Sequence, residues 1–413
     1  MNRIRRLLAM LSCLVLVFAA GFGSAAARLI VDTESGETAE QLMQEDEAVW
    51  TPAEGSVPTD ATALEVAGKS AVLMEQSSGQ VLFEKNAKEH LPIASVTKVM
   101  TLLLVMEAID EGLVDYNDQL TCSAYAASMG GSQIWLEEGE VMSVHDLLKA
   151  AAVVSANDAC AMLAEHVSGS VEGFVQRMNE RAAELGMNDT RFLDCSGLND
   201  EAYSCAYDVA VMSRELMTHP AIMEFTTIWM DSLRNGESEL VNTNKLIRHY
   251  SGATGLKTGT TSTAGHCLSA TAERDGLGLV AVILGCETTN DRFGGARKML
   301  DFGFANYSIY TPQVDPATLT PVPVLHGLEA AVSPAADPPK PLLLRKGQEG
   351  KIVCETTLAA DLEAPVEEGQ VIGEVLLKLD GETLASYPIR AQKAIGRLTF
   401  GAAFGRLFRA LCR

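Results

Sequence analysis

The sequence predicts an α+β fold in which one β-sheet is covered by a block of helices, followed by a small all-β domain and an amphipathic C-terminal helix. Short apolar strand patterns bracket the first region, near residues 70–83 and 265–285, and helical patterns fill the sequence between them. One sheet with helices packed on it satisfies such a pattern, because each element must bury its apolar face against another. A second group of strand patterns follows residue 342.

Composition divides the chain into six segments. Residues 1–27 combine three early arginines, an apolar run and the small residues Ala25–Ala27, which is the anatomy of a secretory signal peptide. Residues 28–62 are acidic and lack periodicity, so we predict a disordered leader. The α+β domain is then expected at 63–308, a proline-rich linker at 309–341, the β domain at 342–392 and the C-terminal helix at 393–413.

Local signals support the individual elements of the α+β domain. Apolar runs at Ser70–Met74 and Gln80–Phe83 surround Gln76–Gly79, which predicts a hairpin. Ser143 with Asp146 three residues later marks a helix start. Helices are predicted at Val96–Ile109, Val144–Val154, Ala159–His166, Val171–Leu185, Asp208–Thr218 and Phe293–Phe304.

Glycine-bounded runs and one turn signal predict the remaining strands. Gly265–Thr271 and Gly278–Gly285 are apolar and resemble neighbouring strands. In the β domain, Asp380-Gly381 separates the runs Val375–Leu379 and Thr383–Ile389, which is typical of a two-residue hairpin turn.

The overall composition excludes some classes of function. A formal net charge of −22 argues against nucleic-acid binding, because phosphates would be repelled. A hydrophobic fraction of 47% supports sizeable cores. The cysteines are scattered through a large chain and suggest no disulfide framework, and no spacing of His, Cys or Asp suggests a metal site.

Ser95 and Lys98 form the first candidate catalytic pair. On a helix, residues three apart share a face, so the hydroxyl and the amine would point into the same space. A serine becomes a nucleophile when a base takes its proton, and a neutral lysine can be that base. The alternative is that Ser95 is only a helix N-cap and Lys98 a solvated side chain.

Two further motifs strengthen the catalytic interpretation. Ser155-x-Asn157 is predicted in a polar turn between two helices, and Lys257-Thr258-Gly259 precedes the glycine-bounded strands. Each has an ordinary structural explanation by itself. Three such motifs in this order match the set found in β-lactamases and penicillin-binding proteins, with the middle motif varied.

The residue types suit acyl transfer. Ser95 would attack a carbonyl carbon, Lys98 would accept its proton, and Ser155 would relay a proton to the leaving amine. Asn157 would hold the substrate amide. Lys257 would add positive charge that favours a neutral Lys98 and attracts an anionic substrate.

The strand of the third motif would bind the substrate. Gly259 would let the substrate lie along this strand as an added edge, with Thr258 among the binding residues. Backbone N–H groups of Ser95 and Thr260 would form the oxyanion hole.

Longer segments resemble one family. Ile93–Thr101, Ser155–Ala159 and Gly255–Gly259 are similar to serine-type D-alanyl-D-alanine carboxypeptidases, the low-molecular-weight penicillin-binding proteins. The similarity spans roughly residues 65–308, and the sequence resembles the branch found in spore-forming Gram-positive bacteria. Further matching segments are Gly186–Asn188, Asn242–Leu246 and Arg292–Phe304.

The resemblance implies a β-lactamase/transpeptidase-like catalytic domain that needs no cofactor. The expected substrate is the peptidoglycan stem pentapeptide, whose terminal D-alanine would be removed through an acyl-enzyme on Ser95, and β-lactams would act as inhibitors. An arginine placed like Arg292 binds the terminal carboxylate in this family. The segment Asp194–Leu198 departs from the family pattern of a proline, and often a histidine, before the glycine. We expect no effect on catalysis, because this loop lies outside the three motifs.

Two alternatives remain at the level of sequence. A class A-like β-lactamase would need a glutamate that activates the deacylating water, and Glu184 with Asn188 superficially offers one. Glu184 is better interpreted as the last turn of a helix closed by Gly186. The other alternative is a non-catalytic penicillin-binding scaffold, which the intact motifs disfavour.

The C-terminal segment predicts where the enzyme is located. Large apolar residues lie on one helical stripe from Phe400 onward, beside arginines on the neighbouring face. The segment is too short and too charged to span a bilayer, but it could lie in the interface of an anionic membrane. We therefore expect an exported enzyme, peripherally anchored at the outer face of the cytoplasmic membrane. The stripe consists of Phe400, Phe404, Leu407, Phe408 and Leu411, with Arg406, Arg409 and Arg413 beside it.

Overall fold

The computed structural model describes the backbone of residues 28–29 and 57–411 and the side chains of residues 57–405. The predicted signal peptide and most of the predicted leader lie outside these residues. The chain forms two compact units: the first ends at Gly303, and the second comprises Phe304 onward together with the three residues Asp275–Leu277.

The first unit contains ten strands and nine helices among the described residues, together with several turns of 3-10 helix. The strands are β1 (Arg28–Leu29), β2 (Ser70–Glu75), β3 (Val81–Lys85), β4 (Gln119–Thr121), β5 (Val141–Ser143), β6 (Met230–Leu233), β7 (Ser238–Val241), β8 (Ala253–Thr261), β9 (Gly265–Arg274) and β10 (Leu277–Cys286). The helices are α1 (Lys98–Asp110), α2 (Ala124–Ala127), α3 (Val144–Val153), α4 (Asn157–Ser168), α5 (Val171–Glu184), α6 (Ala206–Leu216), α7 (Met223–Thr226), α8 (Leu246–His249) and α9 (Thr289–Asn306).

A five-stranded sheet forms the base of this unit, in the order β3-β2-β10-β9-β8. The predicted hairpin and the two glycine-bounded strands are confirmed as β2, β3, β9 and β10. Strand β8 is at one edge of the sheet, with antiparallel neighbour β9 on one side. This position leaves the other side of β8 without a strand partner in the five-stranded sheet.

The helical block packs around α1, whose residues from Lys98 to Met106 are all buried. Helix α1 is apolar on nearly every side, as expected for a central helix rather than a surface one. The predicted cap of α3 is confirmed, because the Ser143 hydroxyl accepts a hydrogen bond from the Asp146 N–H at 3.1 Å. Helix α5 ends as predicted, with Gly186 at φ +74° just beyond it.

The second unit is built mainly from strands. Its elements are β11 (Tyr307–Tyr310), β12 (Val322–Leu325), β13 (Ala331–Val332), β14 (Pro334–Ala336), β15 (Leu342–Arg345), β16 (Ile352–Leu358), β17 (Leu362–Glu363), β18 (Val371–Leu379), β19 (Glu382–Ala391) and helix α10 (Phe400–Leu411). The predicted turn joins β18 to β19, with Asp380 at φ +50° and Gly381 at φ +91°. Positive φ at both positions suits a tight hairpin turn.

The stretch 309–341, predicted to be a linker, is part of this folded unit instead. It contains β12, β13 and β14, and β14 pairs with β19 in the four-stranded sheet β14-β19-β18-β16. Val322, Val324 and Val332 are buried in the same apolar core as Val375 and Ile389. Pro323 lies within β12 and Pro334 within β14, and these prolines obscure the strand pattern in the sequence.

The C-terminal segment begins in contact with the β-strands. Ile395 bridges to Val366 and Arg397 bridges to Gly327, and the helix itself starts at Phe400. Within the described part of the chain, we find no helix with the length and apolar character required to cross a bilayer.

Candidate active site

Ser95 and Lys98 are in direct contact at the centre of the first unit. Lys98 Nζ lies 2.7 Å from Ser95 Oγ and also donates a hydrogen bond to the Ser196 carbonyl at 2.7 Å. Lys98 is 0% exposed and Ser95 is 1% exposed. A hydroxyl at this distance from an amine, shielded from water, can transfer its proton as it attacks.

The local backbone differs from the predicted helix Val96–Ile109 with Ser95 as its N-cap. Ala94–Thr97 forms a turn of 3-10 helix, and α1 begins only at Lys98. Ala94 has φ +47°, and the Lys98 N–H bonds to the carbonyls of Ser95 and Val96. The Ser95 side chain is therefore directed at Lys98 instead of capping a helix, which also removes the alternative explanation of a solvated lysine.

The Ser155–Asn157 turn forms another part of the site. Ser155 is buried at φ +65°, and its hydroxyl makes no hydrogen bond to the described residues. The Asn157 N–H donates to the Ser132 carbonyl at 2.7 Å, and its side-chain amide donates to the Gly130 carbonyl at 2.7 Å. This buried hydroxyl, in a strained backbone conformation, is the group that the sequence predicts to relay a proton, and that role stays a prediction.

Asp158 fixes the loop that borders this turn. Its buried carboxylate accepts hydrogen bonds from the N–H groups of Ile134 and Leu136, both at 3.1 Å to Oδ2. Burial raises the pKa of this carboxyl group, although the N–H donors counteract the effect. The carboxylate thus accepts the backbone hydrogen bonds that the carbonyl groups of a neighbouring strand would otherwise accept.

Lys257, Thr258 and Gly259 lie on the edge strand β8 beside the nucleophile. Lys257 is buried and donates to the Thr258 carbonyl at 2.9 Å, and the Thr258 hydroxyl donates to that of Thr243 at 2.7 Å. A Cβ atom on Gly259 would lie 2.9 Å from the Ser95 nitrogen. The glycine is therefore needed for the close approach of the protein's own nucleophile turn, in addition to the predicted approach of a substrate.

Arg292 reaches the same strand from α9. Its Nη1 donates to the Thr260 hydroxyl at 2.9 Å and lies 3.4 Å from the Gly259 carbonyl. The guanidinium is 1% exposed, so its charge acts in a poorly solvated corner beside β8. The structure thereby brings Arg292 to the strand of the third motif, and its binding of a substrate carboxylate stays a prediction.

Thr243 connects the second and third motifs. Its N–H donates to the carbonyl of Val153, at the end of α3 just before Ser155, and its hydroxyl accepts from Thr258. Asn244 supports the arrangement by donating to the Gly255 carbonyl at 3.0 Å. The residues from Asn242 to Leu246, noticed in the sequence only as a resemblance, therefore link the β8 strand to the helical block.

Two family models match the chain. One, described as D-alanyl-D-alanine carboxypeptidase, Peptidase S11, matches residues 57–288. The other, described as penicillin-binding protein 5, C-terminal domain, matches residues 311–397. The D-alanyl-D-alanine carboxypeptidase DacF of Bacillus subtilis (strain 168) is 42% identical over 340 residues, covering 80% of this chain and 87% of the relative.

The chain belongs to the D-alanyl-D-alanine carboxypeptidase family.

Solved structures agree with this assignment. Penicillin-binding protein 5 from Haemophilus influenzae has a TM-score of 0.69 and 29% identity, covering 83% of this chain and 100% of that one. Penicillin-binding protein D2 from Listeria monocytogenes, solved in an ampicillin-bound form, has a TM-score of 0.51 and 33% identity over 58% of this chain and 99% of that one. The predicted fold, a transpeptidase-like domain followed by a β domain, is confirmed.

The loop from Asp194 to Asn199 lies outside the three motifs, yet it contacts the catalytic pair of this carboxypeptidase family member. The Ser196 carbonyl accepts from Lys98, and Gly197, at φ +86°, packs against Ala94. Asp194 holds the loop by accepting from the N–H groups of Ser196, Gly197 and Asn199. An aspartate followed by such a glycine is a turn signal, but it does not reveal which catalytic group the turn contacts.

Glu184 has a structural role in this family member. Its carboxylate is 49% exposed and pairs with Arg177 at 2.7 Å and with Arg181 at 3.3 Å. Glu184 is therefore engaged in surface ion pairs, whereas a β-lactamase mechanism would require its carboxylate to activate the deacylating water. The interpretation of Glu184 as the end of an amphipathic helix is confirmed.

Within the described residues, one group of side chains is close enough to hold a metal ion: Asp189, Cys205 and Asp208. Lys88 Nζ lies 3.2 Å from Asp208 and 3.4 Å from Asp189. The Lys88 ammonium already supplies positive charge to both carboxylates, so ion pairing with Lys88 explains why these side chains lie together.

Proposed function

We propose that this protein is a serine D-alanyl-D-alanine carboxypeptidase that removes the terminal D-alanine from peptidoglycan stem pentapeptides and is acylated by penicillins. The observation that carries the proposal is the buried contact of Ser95 Oγ and Lys98 Nζ at 2.7 Å, beside an edge strand that bears Lys257 and is reached by Arg292.

The first step forms the acyl-enzyme. Ser95 Oγ attacks the carbonyl carbon of the penultimate D-alanine while Lys98 takes the hydroxyl proton. Charge on the carbonyl oxygen is stabilised by the N–H groups of Ser95 and Thr260. Ser155 passes a proton to the departing amine of the terminal D-alanine and takes one from Lys98, which becomes neutral again as the amide C–N bond breaks.

The second step releases the shortened peptide. A water molecule attacks the ester carbon, Lys98 accepts its proton, and Ser95 regains its hydrogen as the ester bond breaks. Asn157 and strand β8 hold the peptide backbone during both steps, in the manner of strand addition.

We expect Arg292→Ala to raise KM for peptides that end in D-Ala-D-Ala by about tenfold or more. The basis is that a hydrogen bond to a charged group contributes roughly 1.5–3 kcal/mol. Steady-state release of D-alanine measures the effect. Arg297→Ala, on the same helix and paired with Asp301, is the matched control and should leave KM unchanged. An equal rise in KM for a peptide ending in D-alaninamide would show that Arg292 does not bind the carboxylate.

We further propose that the enzyme is exported and attached to the outer face of the cytoplasmic membrane by its C-terminal helix. Phe400 is 87% exposed and Phe404 is 59% exposed, and their rings stack with centroids 6.3 Å apart. Such large apolar side chains gain roughly 1.5–3 kcal/mol each on burial, before ordering costs. The arginines of the same segment favour anionic lipid.

Truncation after Lys393 should abolish binding to anionic liposomes in a flotation assay, because it removes the whole apolar stripe. The double substitution Phe400→Ser and Phe404→Ser should weaken flotation while leaving the helix in place. Val353→Ser, at a 53% exposed apolar residue elsewhere in the second unit, is the control and should float like the unmodified protein. If the truncated protein floats equally well, the attachment lies in another part of the chain.

A further inference from the structure

His266 lies directly opposite Thr260, the residue that Arg292 contacts. The two are paired across strands β8 and β9, so their side chains are on the same face of the sheet. His266 Nδ1 is 3.4 Å from the Thr260 hydroxyl and 3.3 Å from the Thr289 hydroxyl. Both distances are long for hydrogen bonds, so a small rotation of either threonine decides which bond forms.

The Thr260 hydroxyl has one hydrogen and two lone pairs to place. One lone pair accepts from Arg292 Nη1 at 2.9 Å. If His266 Nδ1 carries a proton, it can donate to the second lone pair, and the hydroxyl hydrogen must find another acceptor. If Nδ1 carries none, the hydroxyl can donate to the ring, away from a substrate.

We infer that His266 is a positioning residue that directs the Thr260 hydroxyl toward the terminal carboxylate of the substrate, an inference that rests on the proposed function. His266 itself touches no reacting atom. It acts through Thr260, and its effect is specific for substrates that end in an anion.

This arrangement makes carboxylate recognition depend on pH. Burial, and then the positive charge of Arg292, lower the pKa of His266 below its ordinary value, while Asp291 opposes them. These two charged groups face the ring from α9, and β8 presents the Thr260 hydroxyl. As the pH falls through the lowered pKa, both ring nitrogens become donors, so the Thr260 hydrogen turns to the carboxylate and the corner gains positive charge.

The test compares two peptides that differ only in the terminal charge: diacetyl-L-lysyl-D-alanyl-D-alanine and the same peptide ending in D-alaninamide. The measured ratio is kcat/KM for the peptide ending in a carboxylate divided by kcat/KM for the peptide ending in an amide. It is measured between about pH 4.5 and 8, on either side of the ordinary histidine pKa. Ionisations shared by both reactions, such as that of the catalytic base, cancel in this ratio. The proteins are the mature enzyme, His266→Asn and His266→Phe.

In the unmodified enzyme, the ratio of kcat/KM for the carboxylate peptide to kcat/KM for the amide peptide should rise about tenfold or more toward low pH, the scale of one hydrogen bond to a charged group. His266→Asn retains a polar atom near the Nδ1 position and should keep the neutral-pH ratio without the pH dependence. His266→Phe has no ring nitrogen, so its ratio should not change with pH and should lie about tenfold below that of the unmodified enzyme at low pH. A His266→Phe ratio equal to that of the unmodified enzyme at low pH, or an equal loss on both peptides, overturns the inference. Absence of any D-alanine release by the unmodified enzyme would overturn the proposed function itself.

Discussion

Substitution of Ser95 by alanine is expected to abolish both the penicillin adduct and the release of D-alanine. The hydroxyl that Lys98 contacts at 2.7 Å is the atom that would form the ester bond, and alanine leaves no atom to replace it. Loss of a serine nucleophile lowers kcat by about 10⁶-fold where the remaining groups act only as a unit with it. Lys98→Ala should be nearly as severe, because the hydroxyl then has no base.

The measurement is mass spectrometry of the intact protein and of its peptides after incubation with benzylpenicillin. The adduct should map to Ser95 and be absent from Ser95→Ala, whereas Ser128→Ala, at a serine on the protein surface, should be labelled normally. Glu184→Ala should not change the lifetime of the adduct, because Glu184 is engaged in surface ion pairs. Labelling of a different residue would contradict the mechanism.

The sequence predicted those parts of the site that depend on residue type and order. The motifs can be recognised from residue type and spacing alone, without knowledge of the backbone between them. Their distinctive residues are Ser95, Lys98, Ser155 and Lys257. The hairpin of β2 and β3 was also predictable, because its turn and its apolar runs are local signals. Local signals carry this information without knowledge of the tertiary contacts.

The parts that were missed depend on contacts between distant segments. The 3-10 turn at Ala94–Thr97 requires φ +47° at an alanine, which no local propensity favours. The Ser196 carbonyl contacts Lys98 through the backbone, so its side chain gives no indication of the role. His266 becomes relevant only because strand register places it opposite Thr260. Such pairings are set by the sheet as a whole and not by neighbours in sequence.

Gly197→Ala should be the most damaging substitution outside the catalytic motifs. Gly197 has φ +86°, and a Cβ atom there would overlap the Ala94 carbonyl oxygen and lie 2.9 Å from the Ser95 nitrogen. Both neighbours are backbone atoms, which cannot rotate away as a side chain can. The loop must therefore move away from the nucleophile turn, and the Ser196 carbonyl that holds Lys98 moves with it.

Two free-energy costs are combined in Gly197→Ala, and the control variant Gly186→Ala separates them. The left-handed conformation costs an alanine about 1–2 kcal/mol, and crowding of a packed region adds about 1–3 kcal/mol. Gly186 has φ +74°, but a Cβ atom there would meet no heavy atom within 4 Å, so Gly186→Ala carries only the first cost. Both variants should unfold at lower temperature than the unmodified enzyme, and Gly197→Ala at the lowest.

Activity is the sharper measurement, taken well below both unfolding temperatures. A displacement of about 1 Å in a catalytic group can lower the rate about 10²-fold. We therefore expect the second-order rate of acylation by benzylpenicillin to fall about 10²-fold in Gly197→Ala and to remain within about twofold of the unmodified rate in Gly186→Ala. If Gly197→Ala is destabilised but acylates at the unmodified rate, the loop supports the fold without positioning Lys98. A loss in Gly197→Ala alone ties the position of the catalytic lysine to a loop that the three motifs do not include.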